Sequence, residues 1–417
     1  MSFSVAEIRK DFPIFERTIR EGKKLVYLDS GATSQKPWSV INAESDFYSK
    51  HNAAVHRGAH QLAEEATDAY EGARAIVAKF LGAKDSEIIF TKNATESINA
   101  VAYAMGNAAP GNRFALTSSD SIVVTEMEHH ANLIPWQQIT REMDADLEFI
   151  PVDEVTGEIL WDRLDSLMKL KPKMIALGHV SNVLGSIAPL AQIAEAAHAV
   201  GALLCVDGCQ AVANMPVSIP ATGADFYAFS AHKMGGLFAG GGLWARADLL
   251  AEMAPIETGG DMIHSVRLRD ADFTTGTQRF EAGTPDASGA VALAAACDLL
   301  DEFGRDKIHA PETLMIERVI RELPDVLPDA RILGPRDASQ RAGLVSFSSD
   351  LIHAHDLAEI LDRRGVAIRA GFHCAQPLHE QLELSSSARV SVAPYTTHED
   401  LDALFVGLRE ARKVFEG

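Results

Sequence analysis

Short apolar runs alternate with amphipathic helical patterns between residues 87 and 246 of the chain. Runs of this kind are typical of buried strands, whereas apolar residues repeating at helical spacing indicate helices that cover a sheet. The pattern predicts helices over 95–105, 133–141 and 190–200, among others, and seven strands over 87–91, 121–125, 147–152, 174–180, 202–207, 225–229 and 242–246. Because nearly continuous apolar strands separated by helices favour a parallel sheet with both faces covered, we expect a large α/β domain with a mostly parallel seven-stranded sheet.

The pattern changes after about residue 300. Strands are predicted over 344–347, 366–369 and 388–392, and helices over 312–322, 356–364 and 399–415. This order indicates a small α+β domain, with which the N-terminal segment is expected to pack. The predicted division is a large domain of residues 21–300 and a small domain of residues 1–20 plus 301–417.

Composition and charge exclude several classes of function. The chain has 38 Lys and Arg against 58 Asp and Glu, a net charge of −20, whereas nucleic-acid binding needs clustered basic residues. No apolar run reaches the roughly 18 residues of a membrane span, and no signal peptide is visible, so a cytoplasmic protein is expected. The histidines at 51, 56 and 60 lack the ligand pattern of a metal site, and the four cysteines are too scattered for a disulfide framework.

Polar residues follow the predicted strands at their carboxyl ends, where open α/β sheets bind ligands. Strand 202–207 ends in Asp207 and is followed by Gln210, and strand 225–229 is followed by Ser230, His232 and Lys233. Strand 121–125 leads to the segment Glu128, His129, His130 and Asn132. Ala94 and Thr95 stand at the start of helix 95–105, where free N–H groups favour a phosphate.

These residue types suit pyridoxal 5′-phosphate (PLP), which needs a lysine for a Schiff base, a carboxylate at its pyridine nitrogen, a phosphate site and a flat group against its ring. Lys233 is the candidate lysine, Asp207 the carboxylate and His129 the flat group. The phosphate and the phenolic oxygen are assigned to Ala94, Thr95, Ser230 and His232, and to Gln210, respectively. Taken singly, each residue also has a simpler interpretation, such as a turn cap, a surface lysine or a loop histidine.

Longer motifs carry a resemblance to known families. Residues 225–233 (DFYAFSAHK) resemble the lysine motif of the class V aminotransferase superfamily. Similarity to the SufS-type, group II cysteine desulfurases extends from about residue 3 to the C-terminus and lies in 54–58 (AVHRG), 127–132 (MEHHAN), 179–185 (HVSNVLG), 206–211 (VDGCQA), 279–285 (RFEAGTP) and 369–378 (RAGFHCAQPL).

The resemblance implies a fold-type I PLP enzyme that forms a homodimer with its active sites at the subunit interface. Thr284 is then expected to reach the phosphate of the neighbouring subunit's cofactor. Asn182 and Arg389 are expected to bind the substrate carboxylate, and His56 and Arg369 to line the substrate pocket.

Cys374 distinguishes a desulfurase from other enzymes of this fold, because a thiolate must attack the sulfur of the substrate. The implied reaction converts L-cysteine to L-alanine and leaves a persulfide on Cys374, whose sulfur passes to an acceptor for iron–sulfur cluster assembly. His373 or Arg369 is expected to assist the thiol, and the short stretch 369–374 predicts a tightly held loop. A selenocysteine lyase, a cysteine or cystine C–S lyase, a kynureninase-like hydrolase and a non-catalytic PLP-binding or sulfur-carrier protein remain alternatives.

Two further features bear on this interpretation. The segment 235–242 (GGLFAGGG) replaces a Gly-Pro-Thr-Gly string that is usual in the family, which predicts a freer backbone. His355 lies nineteen residues before Cys374, where relatives served by zinc-containing SufU-type carriers tend to have a histidine. Because imidazole can replace a thiolate on Zn²⁺, a SufU-type acceptor that binds His355 is favoured over a SufE-type one. The alternative is that His355 caps the helix predicted to begin near Asp356.

Overall fold

The computed structural model describes residues 4–416. Its strands are β1 (Thr18–Ile19), β2 (Lys23–Lys24), β3 (Val26–Tyr27), β4 (Ile88–Thr91), β5 (Ser121–Thr125), β6 (Asp146–Ile150), β7 (Met174–Gly178), β8 (Leu203–Asp207), β9 (Phe226–Ser230), β10 (Gly241–Ala245), β11 (Ile263–Val266), β12 (Ala271–Phe273), β13 (Arg331–Ile332), β14 (Leu344–Ser348), β15 (Val366–Ala367), β16 (Arg369–Gly371) and β17 (Ser387–Ser391). Its α-helices are α1 (Val5–Lys10), α2 (Trp38–Asp46), α3 (Gln61–Leu81), α4 (Ala94–Gly106), α5 (Ile134–Met143), α6 (Leu164–Met168), α7 (Leu190–Val200), α8 (Ala211–Asn214), α9 (Ile219–Thr222), α10 (Ala247–Leu250), α11 (Ala287–Phe303), α12 (Arg305–Val326), α13 (Ala354–Asp362), α14 (Gln376–Gln381) and α15 (His398–Glu416).

The central sheet has seven strands in the order β4-β10-β9-β8-β7-β5-β6. Strands β9, β8, β7, β5 and β6 pair in parallel, whereas β10 is antiparallel to both β4 and β9. Along β5, Val123 packs in one core and Ile122 and Val124 pack in another. Because alternate strand residues face opposite sides, both faces of the sheet are covered. The predicted α/β class and the mostly parallel seven-stranded sheet are confirmed.

A second, four-stranded antiparallel sheet has the order β13-β14-β17-β16. Residues of α12, α13 and α15 pack with it in a separate core. The register places Arg369 on β16 directly opposite Arg389 on β17. Two basic side chains are therefore held side by side on neighbouring strands of this sheet.

The single strand predicted over residues 366–369 is wrong. The chain forms two strands there, because β15 pairs in parallel with β3 whereas β16 pairs with β17. The regular strand is interrupted at Ile368, where the pairing partner changes from β3 to β17.

The predicted domain division, 21–300 against 1–20 plus 301–417, stays a prediction. Phe12 packs on Tyr395, as expected for an N-terminal segment that joins the smaller unit. Val26 and Leu28 also pack in the core of the four-stranded sheet. The packing thus extends the N-terminal contribution to the smaller unit beyond residue 20. None of the helices within residues 4–416 has the length and apolar character needed to cross a membrane.

Candidate active site

A cavity of about 240 Å³ lies between the carboxyl ends of β8 and β9 and the two arginine-bearing strands β16 and β17. Twelve of the residues singled out from the sequence line it: Ala94, Thr95, His129, Asn182, Asp207, Ser230, His232, Lys233, Arg369, His373, Cys374 and Arg389. Gln210 lines a smaller adjoining cavity that shares His129, Asp207 and Lys233. The residues predicted from the strand ends and those predicted from the motifs therefore lie together around this cavity.

Lys233 and Asp207 stand on neighbouring parallel strands. Strand β9 ends at Ser230, and the 3₁₀ turn Ala231–Lys233 that follows puts Lys233 at the cavity. Asp207 is the last residue of β8, is buried, and accepts the N–H of Cys209 at 3.0 Å. A buried carboxylate beside a lysine at the ends of adjacent strands is the arrangement that the sequence predicted.

His129 is a neutral ring in this site. Its Nδ1 accepts the N–H of Ala131 at 3.0 Å, which caps the short 3₁₀ helix His130–Asn132. Burial lowers the pKa of His129 to about 4, and the nearby positive charge of Lys233 acts in the same direction. An uncharged, anchored imidazole suits the role of a flat group against a cofactor ring.

The start of α4 and the end of β9 meet at the predicted phosphate position. The N–H of Ala94 donates to Ser230 Oγ at 2.9 Å, and Thr95 in the first turn is exposed. Within residues 4–416, the buried His232 Nδ1 has no hydrogen-bond partner. Gln210 donates through Nε2 to the carbonyl of Gly31 at 2.9 Å, but its buried Oε1 likewise has no partner in that range. Two unsatisfied polar atoms thus occur at the positions predicted to contact a ligand.

Arg389 supplies a buried positive charge on the opposite side of the cavity. Its Nη1 donates to the carbonyl of Asn182 at 2.9 Å and its Nη2 contacts Asp29 Oδ1 at 3.4 Å. Burial lowers the pKa of Arg389 to about 10, so the guanidinium stays charged at neutral pH. Its Nε finds no acceptor among residues 4–416. This geometry leaves donor capacity for an anionic group in the cavity.

Cys374 is exposed on a loop held from both sides. His373 and Cys374 both have positive φ angles, of 52° and 59°. The carbonyl of Cys374 accepts the N–H of His130 at 2.7 Å, and the carbonyl of His373 accepts Asn182 Nδ2 at 2.6 Å. The Gln376 N–H donates to His130 Nε2 at 3.1 Å. These bonds fix the loop, in agreement with the tight connection that the sequence indicated.

The expectation that His373 or Arg369 assists the thiol stays a prediction, and the structure limits what His373 can contribute. Its ring is buried, and its Nε2 lies 3.0 Å from Ser387 Oγ. Burial lowers the pKa of His373 to about 2, with the charge of Arg389 acting in the same direction. The ring is therefore neutral and holds the backbone of the loop instead of offering a positive charge to Cys374.

Three predicted site residues lie away from this cavity in the single chain. Thr284 is exposed and lines a different cavity of about 260 Å³. His56 is exposed, with Nε2 at 2.9 Å from Glu71 Oε1. His355 is exposed at the start of α13, whose N-terminal cap is His353, so the alternative that His355 is the cap is wrong.

Sequence reasoning missed the contributions of three residues. Asp29 contacts Arg389, and Cys209 lines the cavity. Glu128 is buried and accepts Asn132 Nδ2 and Thr125 Oγ1, each at 2.6 Å, and burial raises its pKa to about 7. The signal for Glu128 was visible as a carboxylate after an apolar strand, whereas Asp29 depends on a contact across 360 residues.

Comparison with known proteins decides the family. The profile described as "Aminotransferase class-V" matches residues 26–404. The chain belongs to this family. It is 46% identical to "Probable cysteine desulfurase 2" of Mycobacterium leprae, over 99% of this chain and 97% of the relative. The solved cysteine desulfurase of Thermococcus onnurineus NA1 superposes with a TM-score of 0.91 at 36% identity, over 98% of each chain. The cysteine desulfurase CsdA of Escherichia coli, in an S-sulfonic acid form, gives 0.87 at 33%, over the whole of both chains.

The cofactor of this family is PLP, and the chain provides a site that fits it. Lys233 would bind the aldehyde carbon, and Asp207 would pair with the pyridine nitrogen. The unpartnered Gln210 Oε1 and His232 Nδ1 would supply polar atoms for the phenolic oxygen and the phosphate. The start of α4 adds free N–H groups for the phosphate. No metal-binding cluster of His, Cys, Asp or Glu occurs in the described part of the chain.

Proposed function

We propose that the protein is a PLP-dependent cysteine desulfurase of the SufS type, which converts L-cysteine to L-alanine and holds the released sulfur as a persulfide on Cys374. One observation carries the assignment. The exposed thiol of Cys374 lines the same cavity as Lys233, Asp207 and Arg389. A lyase that releases pyruvate needs the last three residues but has no use for a fixed thiol at that position.

Each residue has a defined task in this reaction. Arg389, with Asn182 beside it, orients the substrate carboxylate, because its guanidinium is charged and keeps an unpartnered Nε. PLP supplies the electron sink that makes loss of the Cα proton possible. The Lys233 amine takes up that proton and later returns one to carbon.

Sulfur transfer is the task of Cys374. Its thiolate attacks the substrate sulfur, a new S–S bond forms, and the C–S bond of the substrate breaks. The bonding electrons stay with the carbon skeleton, which leaves as alanine after protonation. The neutral His373 contributes no charge to this step, whereas the basic side chains of Lys233, Arg369 and Arg389 line the cavity with the thiol.

The direct test is a product analysis of the purified, PLP-loaded protein with L-cysteine and a reductant. Alanine and sulfide are expected in equal amounts, and pyruvate as the main product would overturn the assignment in favour of a C–S lyase. L-selenocysteine is tested in parallel with Cys374→Ala, because a selenocysteine lyase retains turnover without that thiol. Absence of turnover with both substrates would leave a non-catalytic PLP-binding protein.

The proposal includes a homodimer with active sites at the subunit interface. Thr284 and His56 support it, because both are exposed and neither lines the Lys233 cavity of its own chain. Light scattering should give a mass of about twice 45.0 kDa. A mixture of Lys233→Ala and Thr284→Ala chains should regain activity through hybrid dimers that hold one intact site. A monomer that retained full activity would exclude this arrangement.

The acceptor is proposed to be a SufU-type zinc carrier that binds His355 and serves cytoplasmic iron–sulfur cluster assembly. The ring of His355 is exposed and stacks on His353, with centroids 5.2 Å apart. His353 Nε2 lies 3.0 Å from Ser386 Oγ, and the next residue, Ser387, contacts the His373 ring of the thiol loop. An exposed imidazole is thus tied to the loop that carries the persulfide.

The carrier is tested with His355→Ala and a matched control at another exposed histidine, His398→Ala. The first variant should lose stimulation by a zinc carrier and keep its basal rate with a reductant, and the second should lose neither. Equal stimulation of both variants would contradict a role for His355. Stimulation by a SufE-type carrier alone would assign the acceptor to the other class.

A further inference from the structure

The carbonyl of His232, which directly precedes Lys233, receives an unusual number of hydrogen-bond donors. The N–H of Ser34 and Lys36 Nζ both donate to it at 2.9 Å. Thr33 Oγ1 donates at 2.9 Å and Ser34 Oγ at 3.1 Å. A carbonyl oxygen has two lone pairs, and here four donors surround it. Together they hold the peptide of His232 from several directions. The peptide that leads into Lys233 is therefore fixed from the segment 33–36.

Lys36 is the charged member of this group. Its Nζ also donates to the carbonyl of Ser34 at 2.7 Å and lies 5.5 Å from the ring of Phe238, which stacks on His232. Among residues 4–416 no carboxylate forms an ion pair with it, and its titratable neighbour is His232, whose pKa burial and the charges of Lys233 and Lys36 lower. Burial lowers the pKa of Lys36 to about 7. The partly buried amine donates to the carbonyls of His232 and Ser34 and, at 3.5 Å, to Thr33 Oγ1, so its contacts lie within this backbone cluster.

The same segment is bound to the unit that carries the substrate arginine. The N–H of Gly31 donates to Ser391 Oγ at 2.7 Å, and the N–H of Gln35 donates to the Tyr395 hydroxyl at 3.0 Å. Asp29, at the start of the segment, contacts Arg389. Residues 29–36 therefore join the strand of Arg389 to the turn of Lys233.

We infer that Lys36 is a positioning residue that fixes the Lys233 turn relative to the strand of Arg389, acting through the carbonyl of His232. This deepens the proposed function, on which it rests only for the identity of Lys233 as the cofactor lysine. Ser34 completes the clamp from the other end of the turn, because its Oγ accepts the N–H of Gly235 at 2.7 Å. Lys36 itself does not line the cavity that contains Lys233, Cys374 and Arg389.

The test compares Lys36→Met with Lys36→Arg, and with Lys413→Met as a control at an exposed lysine. The first measurement traps PLP on the protein. The Lys233 amine and the PLP aldehyde join with loss of water, borohydride adds hydride to the C=N bond, and the labelled peptide is quantified. The second measurement, on the cofactor-free protein, follows amide hydrogen exchange in the peptide spanning residues 231–238.

Lys36→Met should lower the trapping rate at Lys233 by about tenfold and speed exchange in 231–238 by about tenfold. The melting temperature of the cofactor-free protein should stay within about 2 °C of wild type. Lys36→Arg keeps a charged donor and should restore at least half of the loss, whereas Lys413→Met should behave as wild type. Wild-type trapping and exchange in Lys36→Met would overturn the inference, and so would a fall in melting temperature that matches the loss of trapping. A wild-type protein that traps PLP at Lys233 but makes no alanine would overturn the proposed function and leave this inference intact.

Discussion

Replacement of Arg389 by lysine isolates the role of the guanidinium in substrate binding. Lysine keeps a positive charge but loses the planar fork that binds a carboxylate through two parallel N–H bonds. Arg389 is 2% exposed, so an apolar substitute would also leave the carboxylate of Asp29 without its contact. The lysine variant therefore removes the fork while limiting the disturbance of its surroundings.

The expected size of the effect follows from the contacts of Arg389. One charge-assisted hydrogen bond to the substrate carboxylate is lost, which is worth about 1.5–3 kcal/mol. Because about 1.4 kcal/mol corresponds to a factor of ten, kcat/KM for L-cysteine should fall by about 10- to 150-fold. Loss of the bond to the Asn182 carbonyl adds to this effect, because Asn182 also holds the thiol loop through His373.

The assay measures kcat/KM from alanine release, together with binding of L-cysteine and of cysteamine from the change in the visible band of PLP. Cysteamine has the amine and thiol of cysteine but no carboxylate, so its binding should not change in Arg389→Lys. Arg412→Lys, at a residue of the last helix outside the cavity, serves as the control. A kcat/KM within about threefold of wild type would refute the carboxylate contact. Equal weakening of L-cysteine and cysteamine would show that the site had been distorted instead.

Three other substitutions test the site and the core. Cys374→Ala should keep PLP and the spectral change on binding L-cysteine but lower alanine formation by at least about 100-fold; sulfide release at the wild-type rate would contradict the role of the thiol. His179 is buried with its Nδ1 at 2.8 Å from the Tyr227 hydroxyl, and burial lowers its pKa to about 4 from an unfolded value of 6.5. The unfolded state therefore binds more protons between these values, and the stability advantage of wild type over His179→Gln in urea unfolding should shrink by about 2 kcal/mol from neutral pH to about pH 4.5; parallel pH curves would contradict the neutral ring. The carboxyl of Glu312 is fully buried without a partner among residues 4–416, and burial raises its pKa well above 4.5. Because the folded state keeps the proton as pH rises, the stability of Glu312→Gln relative to wild type should increase by up to about 1.4 kcal/mol per pH unit above pH 4.5. A stability difference independent of pH would contradict a protonated Glu312 in the folded state.

The sheet was predictable because its strands are continuous apolar runs. Each of the seven predicted strands lies within two residues of the observed bounds. The prediction failed at residues 366–369, where apolar character continues but the hydrogen-bonding partner changes from β3 to β17. The apolar pattern of a segment indicates that it is buried, but it does not indicate with which strand the segment pairs.

The candidate site divides in a similar way. Asp207, Lys233 and His129 could be predicted from the residues alone, since parallel strands bring their carboxyl ends to one edge. Arg389 and Cys374 were found only through the resemblance, because they come from the smaller sheet and no local pattern links them to Lys233. The neutral state of His373 could not be predicted from the sequence, because it depends on burial that only the folded chain creates.

The glycine-rich segment shows how one composition supports two physical interpretations. Its glycines predicted a freer backbone, yet in the structure close packing requires several of them. A Cβ on Gly241 would lie 2.6 Å from the carbonyl oxygen of Phe229 and 2.8 Å from the Cα of Asn93. A Cβ on Gly236 would lie 2.7 Å from that of Ala231. These glycines let β10 approach β9 and the start of α4 at the phosphate position, and the N–H of Gly236 donates to Ala231 in the lysine turn. The segment therefore tightens the backbone around Lys233 by close approach, where the usual family string has a rigid proline.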